Sequence, residues 1–398
     1  MRFRKVLFWL HLVSGCVAGI VILIMSVTGT LLMYEKQMIA WADREYRVAV
    51  PAGAKRLPVE ALLARLREAK GALPPVFTMH SDPSEPAAGV FGREGTTYIN
   101  PYSGEVLGKG STAVRTFVRV AIDWHRWLGA QGESRVIGKA ITGACNLAFL
   151  FLVCSGLYLW WPRKWSGQSV RAVTLFRGGL SGKARDFNWH NVIGFWCCVP
   201  LFFVVISATV ISYPWASNLV YRLAGGEPPS AGRPGGGGPP RQRGPGGGAK
   251  AGLSLEGIDQ LWTQAEGQVP GWRTISLRLP DSDRAPLTFT IDRGTAGQPQ
   301  KRGTLTLNRR TGEVESWQPF ESYDRGRRLR SWLRFVHTGE YYGLAGQTIA
   351  GIASAGGAFL VWTGLALTWR RFRSWRVRSD ARVRESEKEE ERPVTMKV

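Results

Sequence analysis

Four stretches of this chain contain no Asp, Glu, Lys or Arg: Val6 to Tyr34, Ala140 to Pro162, Phe187 to Tyr221, and Tyr341 to Trp369. Each exceeds the roughly 20 residues that an α-helix needs to cross a hydrocarbon core of about 30 Å. In lipid every backbone N–H and C=O must be satisfied within the segment, so runs of this kind are helical. The expectation is an α-helical membrane protein with four transmembrane helices. Arg2, Arg4 and Lys5 precede the first run as the basic region of a signal peptide would. That run far outlasts the 7–15 apolar residues of a signal peptide and no clear cleavage site follows it, so it reads as an uncleaved anchor.

Orientation follows from the short basic loops, which stay in the cytoplasm. The connection 163–186 carries Arg163, Lys164, Arg171, Arg177, Lys183 and Arg185, and the tail carries Arg370, Arg371, Arg373, Arg376 and Arg378. Both termini are therefore expected in the cytoplasm. The long connections, 36–136 and 222–336, are expected outside. This bias explains much of the formal net charge of +22, so nucleic acid is not an expected partner. The basic outer segments could attract an anionic substrate or lipid headgroups. All five cysteines fall inside apolar runs, which leaves the outer segments without disulfides.

The chain reads as one plan used twice. An amphipathic helix over Pro58 to Lys70, apolar at Val59, Leu62, Leu63 and Leu66, precedes strand-like pieces that end in a hairpin around Asn100-Pro101-Tyr102-Ser103-Gly104. A helix over Leu255 to Ala265 precedes a second hairpin around Asn308-Arg309-Arg310-Thr311-Gly312. The membrane runs match as well. His11 to Gly15 resembles His190 to Gly194, Ser26-Val-Thr28 resembles Ser207-Ala-Thr209, Gly138 to Gly143 resembles Gly346 to Gly351, and Gly156 to Trp161 resembles Gly364 to Trp369. Parallel repeats of this kind occur in membrane folds. The expected organisation is a first transmembrane helix (1–35), a small α+β domain (36–112), an interfacial helix and turn (113–136) and a second transmembrane helix (137–162). A cytoplasmic loop (163–186), a third transmembrane helix (187–215), a disordered Gly/Pro-rich linker (216–252) and a second small α+β domain (253–328) follow. Another interfacial helix and turn (329–343), a fourth transmembrane helix (344–370) and a solvated tail (371–398) complete it.

Four of the five histidines stand in the same relation to the four runs. His11 opens the first and His190 the third, near the inner face; His125 precedes the second and His337 the fourth, near the outer face. His125 lies in Asp123-Trp124-His125-Arg126-Trp127-Leu128-Gly129, and His80 alone lies elsewhere. Histidine is the commonest metal ligand, and costly ionisable groups at membrane depth are usually functional. The repeat pairs His11 with His190 and His125 with His337. Two imidazoles without a matching carboxylate or thiolate make a poor zinc site but suit the two axial positions of haem iron. Trp124, Trp127, Trp189 and Trp196 are expected as flat apolar walls, and Gly15, Gly19, Gly194, Gly356 and Gly357 as the room a porphyrin needs. No Cys-x-x-Cys-His sequence is present, so the expected cofactor is non-covalent haem b, two per chain with two histidines each. The competing readings are a helix-end histidine that is merely hydrogen-bonded, aromatic interfacial belts and glycines that serve helix packing.

Together these motifs resemble the bacterial PepSY-associated transmembrane family over nearly the whole chain. The residues that carry the resemblance are His11-Leu12-Val13-Ser14-Gly15, Trp124 to Gly129, the hairpins around Gly104-Glu105-Val106 and Gly312-Glu313-Val314, and His190 and His337. The resemblance implies PepSY-like periplasmic domains, haem in the membrane and a role in iron uptake as a ferric-siderophore reductase. Some relatives carry a cytoplasmic flavin-reductase domain, for which neither 163–186 nor the tail is long enough. A separate electron donor, a quinol or a soluble reductase, is therefore expected. The expected function is a di-haem reductase delivering electrons across the lipid bilayer to a ferric siderophore or other ferric chelate, with Arg126, Arg330 and Arg334 near the receiving surface. The alternatives are a non-enzymatic scaffold whose outer domains bind a peptide or protein, and a siderophore transporter. The latter is disfavoured because the four runs hold no charged residue for a coupling ion.

Overall fold

The computed structural model describes residues 2–390 apart from 93, 94, 163–165, 230–251 and 296. Most of the expected Gly/Pro-rich linker lies outside the described residues, as do Arg163 and Lys164. In chain order the elements are α1 (Arg2–Leu32), α2 (Glu35–Ala42), α3 (Val59–Lys70), β1 (Val76–His80), β2 (Ala87–Val90), β3 (Thr96–Ile99), β4 (Val106–Lys109) and α4 (Thr112–Trp127). Next come α5 (Arg135–Trp160), α6 (Gly167–Thr174), α7 (Gly182–Ser212), α8 (Pro214–Leu223) and α9 (Ile258–Gln268). The last are β5 (Thr274–Arg278), β6 (Leu287–Asp292), β7 (Arg302–Leu307), β8 (Val314–Pro319), α10 (Arg325–His337) and α11 (Gly343–Glu390). Four helical segments are long and apolar enough to cross a membrane: Phe3–Leu32, Gly132–Trp160, Gly182–Ser212 and Glu340–Ser379. The protein is a multi-pass membrane protein with an antiparallel α+β region.

The chain divides into two compact units. The first comprises Met1–Thr30, Asp123–Ile206 and Ala350–Val398 and is built from the apolar helices. Between helices lipid gives no hydrophobic drive, so close packing of small residues decides the contacts. A Cβ on Gly356 would stand 2.5 Å from the Cys197 Sγ, and one on Gly138 would stand 2.2 Å from the Trp127 carbonyl oxygen. Cys197, Leu201 and Ala353 form the buried centre, flanked by Phe149, Val153, Ile193 and Leu360. Thr142 Oγ1 donates across the turn before α5 to the Arg126 carbonyl at 3.1 Å. That turn begins at Leu128, the one described non-glycine residue with positive φ (54°), and continues through Gly129 at φ 76°.

The second unit comprises Leu31–Ile122 and Ser207–Ile349. Its strands form one eight-stranded sheet in the order β4-β3-β2-β1-β5-β6-β7-β8. The two segments expected as separate small domains therefore share a sheet, joined where β1 pairs antiparallel with β5, Phe77 opposite Leu277 and Thr78 opposite Ser276. The Thr78 and Ser276 hydroxyls meet at 2.9 Å on the face away from the core. Alternate residues of β1, β5 and β7 are buried, as a sheet covered on one face requires. Phe77, Leu277, Phe289, Leu305 and Leu307 pack against Val59, Leu62, Leu63 and Leu66 of α3 and Leu261 and Trp262 of α9 in one continuous core. Either half alone would leave β1 or β5 as an open, aggregation-prone edge.

Both expected hairpin turns are built alike. Asn100 Oδ1 accepts the Tyr102 and Ser103 N–H groups, and Asn308 Oδ1 accepts those of Arg310 and Thr311. Gly104 and Gly312 both take φ +73°, where a Cβ would be strained. α2 opens the expected first α+β domain, α6 forms within the expected loop 163–186, and α8 makes residues 216–223 of the expected disordered linker helical. Their amphipathic stretches are too short to announce themselves: α6 needs the Ser166 side chain as its N-cap, and α8 starts on Pro214 in the first turn. The tail expected as merely solvated continues α11 through Glu390. No residue between 370 and 390 is Gly or Pro, so nothing in the sequence stops that helix.

The second unit is fastened at Asp43. Its carboxylate accepts hydrogen bonds from Arg115 (3.0 and 2.5 Å), the Ser111 N–H (2.6 Å) and the Tyr98 hydroxyl (2.9 Å). Burial alone would raise this carboxyl, but those donors together hold it below its ordinary value of 3.8. The Tyr98 hydroxyl is pushed up to about 12, by burial first and then by Asp43. A carboxyl lowered in the folded state adds stability above its unfolded value and loses it as pH falls through the folded value. Asp43→Ala is therefore expected to cost on the order of 3 kcal/mol at pH 7 by orphaning Arg115. Thermal unfolding followed from pH 7 to below 3.8 should show the gap from wild type closing at the acid end; a gap independent of pH would refute the assignment.

Candidate functional site: a histidine-lined cavity between apolar helices

Two of the histidines come together inside the first unit. His11 on α1 and His190 on α7 both line a cavity of about 720 Å³ walled by α1, α5, α7 and α11. That volume lies within the range of about 300–1,000 Å³ usual for small-molecule and cofactor sites. Its walls are overwhelmingly apolar, with Phe8, Trp9, Trp160, Phe187 and Phe195 as the large flat side chains. Trp160 and Phe195 stack at 4.6 Å between ring centroids, 15° from parallel.

Glycine makes the space. Gly15, Gly19, Gly156, Gly194 and Gly364 all line the cavity. A Cβ on Gly156 would stand 3.3 Å from the His11 Cε1, and one on Gly364 would stand 3.5 Å from the His190 Cε1. Each imidazole thus lies against a bare stretch of backbone on the facing helix.

The tautomer of each ring follows from hydrogen-bond accounting. His11 Nδ1 is 2.8 Å from the Ser155 Oγ, and His190 Nδ1 is 2.9 Å from the Thr363 Oγ1. A hydroxyl has one proton to donate. Ser155 donates its proton to the Phe151 carbonyl at 2.6 Å, and Thr363 donates to the Phe359 carbonyl at 2.8 Å. With its proton given to the carbonyl, each hydroxyl accepts from the histidine, which assigns the proton to Nδ1. Nε2 is left with its lone pair, the state in which imidazole binds a metal. A hydrogen bond at the other ring nitrogen is also the usual means of holding a ligating histidine in orientation.

His125 on α4 shows the same device within the first unit. Its Nδ1 lies 3.0 Å from both the Thr28 hydroxyl and the Met25 carbonyl, and the carbonyl can only accept. Thr28 itself donates to the Ile24 carbonyl at 2.6 Å. A Cβ on Gly29 would stand 3.2 Å from the His125 Cε1. In the second unit, His337 on α10 has its Nδ1 3.4 Å from the Ser207 hydroxyl. Thr28 and Ser207 are thus the hydroxyls beside His125 and His337, two residues off the sequence match of Ser26 with Ser207. The spacing from His11 to His190 equals that from Thr28 to Ser207. His80 ends β1, its Nδ1 3.2 Å from the Thr274 hydroxyl, and burial pushes its pKa down. It joins none of the other four.

Trp189 and Trp196, expected as walls near His190, do not line this cavity, and Trp124 and Trp127 flank His125 in α4. Trp189 packs edge-on to Phe176, with the Arg185 guanidinium 5.5 Å from its ring. Trp127 lies between Arg126 and Arg135, at 4.7 and 4.3 Å. Trp124 covers Gly129, where a Cβ would stand 3.1 Å from the indole. Trp196 donates its indole N–H to the Thr174 carbonyl at 2.9 Å. None of the four lines the cavity of His11 and His190. Gly356 and Gly357 also serve helix packing, against Cys197 and Ser26. Sequence reasoning missed Ser155 and Thr363. The available signal was that each immediately precedes the glycine, Gly156 or Gly364, that opens the matching motif of its run.

The donor set discriminates among metal groups. Among the described residues no cluster of three or more His, Cys, Asp or Glu side chains could hold a metal ion. A bare zinc ion with three or four protein ligands does not fit. Two imidazoles on a flat-walled, glycine-lined cavity do fit a metal that brings its own equatorial ligands, as haem does. In comparisons with known proteins, the model of the family described as the PepSY-associated TM region matches residues 8–371. No curated protein matches the chain.

Removing the hydroxyls tests the tautomer. ¹⁵N spectra of histidine-labelled protein should show His11 and His190 protonated at Nδ1. Ser155→Ala should release His11 alone, and Thr363→Val should release His190 alone. Mixed tautomers already present in the wild type would refute the arrangement.

Proposed function

The chain belongs to the PepSY-associated transmembrane family, and from that premise we propose that it is a haem-containing membrane reductase of ferric chelates. His11 and His190 hold one haem b, and His125 and His337 hold a second, a pairing drawn from the order of the histidines in the sequence. The observation that carries the reading is the pair of neutral imidazoles on one apolar cavity, each with Nδ1 bonded to a hydroxyl and Nε2 left as a ligand. A bound haem supplies reversible one-electron transfer, chemistry that no side chain here performs alone. The residues supply the rest. Ser155 and Thr363 orient the rings, the glycines admit a flat macrocycle, and the apolar walls exclude water.

The membrane is read as the bacterial inner membrane, with both termini in the cytoplasm and the sheet in the periplasm, on the strength of the basic residues at 163–186 and after Arg370. Two halves built to one plan are read as a parallel two-fold repeat. Electrons would come from a quinol or a cytoplasmic reductase and pass to a ferric siderophore or other ferric chelate outside. The second reading is a scaffold that binds a peptide or protein at its PepSY-like sheet, favoured by the solvent-side edges of β4 and β8.

An absorption spectrum of the detergent-purified protein, oxidised and dithionite-reduced, tests the proposal. The expected result is low-spin b-type bands with two haems per chain. His11→Ala and His190→Ala should each remove the same one, and ferric-chelate reduction in vesicles should fall at least tenfold. Protein expressed with ample haem that stays colourless would leave the scaffold reading.

A further inference from the structure

We infer that the cavity of His11 and His190 has a built anion-binding mouth, formed by Arg4, Lys5, Lys183 and Arg371, that takes the paired carboxylates of the group seated within. The inference rests on the haem reading and extends it to orientation: the propionate edge faces the end of the helices that holds the N-terminus.

Four cations line this cavity and no Asp or Glu does. They arrive from three helices, Arg4 and Lys5 on α1, Lys183 on α7 and Arg371 on α11. The nearby carboxylate of Asp186 is already paired with Arg185 and Arg370, at 3.0 and 3.1 Å, and cannot neutralise them. Among the described residues none of the four has an acidic partner within ion-pair distance. The orientation rule accounts for basic residues at this end of the helices but not for their place on a cavity wall.

Two of the four are held in position. Arg4 donates to the Leu159 carbonyl at 2.5 Å and the Trp161 carbonyl at 3.3 Å, fastening the C-terminal end of α5. The Arg371 guanidinium stands 4.8 Å from the centre of the Trp9 ring and 5.2 Å from that of Phe8. Lys5 and Lys183, on long flexible stems, complete the mouth. Lys5, Lys183 and Arg371 are exposed at the edge of an apolar cavity, free to meet an anion seated there, and charge-assisted hydrogen bonds are the strong ones. The cavity thus has two chemically distinct ends, imidazole nitrogens within and ammonium and guanidinium groups at the rim, which match the iron and the carboxylate edge of one ligand.

The test uses the full-length purified protein, stripped of haem and titrated with haem b and with its dimethyl ester, which lacks the carboxylate charges. The readouts are affinity and absorption spectrum. Wild type should bind the ester about tenfold or more weaker than haem, the scale of one or two charge-assisted hydrogen bonds. Lys5→Gln/Lys183→Gln and Arg371→Gln should weaken haem by a similar factor, leave ester affinity unchanged and leave the low-spin bands in place. Equal affinity for haem and ester in wild type would overturn the inference while leaving the haem reading intact. It would also be overturned if the variants bound haem as wild type does but retained less phosphatidylglycerol from vesicles, since the mouth would then be a lipid-phosphate site. No binding of either compound by wild type would overturn both. The wild-type comparison of haem with ester requires no variant to fold.

Discussion

A neutral imidazole placed among apolar helices has one donor and one acceptor and no water to satisfy either. The Ser and Thr hydroxyls of the facing helices remove half of that problem. Each lies within reach of a carbonyl one turn back, to which it gives its proton, so the only role left to it towards the histidine is acceptor. The ring's orientation, its tautomer and the direction of its remaining lone pair follow from that one constraint. The rest of the first unit can be understood as the means of keeping helices at the distance this bond requires. Gly156 and Gly364 let α5 and α11 carry the hydroxyl and leave room for the ring beside it. A Cβ at Gly156 would press on the His11 ring at 3.3 Å, whereas one at Gly364 would meet His190 at an ordinary contact distance of 3.5 Å, so only side chains beyond Ala are expected to crowd that ring.

Much of this was legible in the sequence, because the signals involved are local or compositional. Charge-free runs located the four helices, and the spacing of Val59, Leu62, Leu63 and Leu66 located the buried face of α3. Asn100 and Asn308, each with a glycine four residues on, located the hairpins. The pairing of β1 with β5 was not legible. Antiparallel partners nearly 200 residues apart leave no local trace, and each half reads as complete in itself. The aromatic walls were misread for a related reason. In a helix apolar all round, such as α7, periodicity does not say which face meets a cavity, so Trp189 and Phe187 look equivalent until packing separates them. The match of Ser26-Val-Thr28 with Ser207-Ala-Thr209 was two residues off the contacts to His125 and His337 because 26, 28, 207 and 209 are all Ser or Thr. Only a histidine nitrogen tells them apart.

The second unit follows a different logic. Its core is apolar, with alternate strand residues buried under α3 and α9, and a few buried polar fastenings such as Asp43 with Arg115 add to it. Glu60 and Asp259 each accept the other's backbone N–H at the first turns of α3 and α9, at 3.2 and 3.1 Å, so the two helices that cover the sheet satisfy each other's open ends. Merging eight strands into one sheet gives this unit a single rigid frame. Two four-stranded domains would each have exposed β1 or β5 and moved independently.

On the proposed haem reading the chain holds a flat, doubly charged cofactor among apolar helices and faces opposing demands. The macrocycle requires an apolar slot, whereas its carboxylates require cations and its metal requires neutral nitrogen. Separation along the helix axis resolves the conflict. Arg4 and Lys183, two of the basic residues on which the proposed orientation rests, share the cavity's lining with the histidines and glycines. On that reading one set of charges serves both topology and site, and no charged residue has to enter the uncharged runs. This explains why so sparse a set of polar groups suffices. The two histidines lining the cavity, the two hydroxyls that orient them and the four cations that share its lining are chemically distinct, and each does one task.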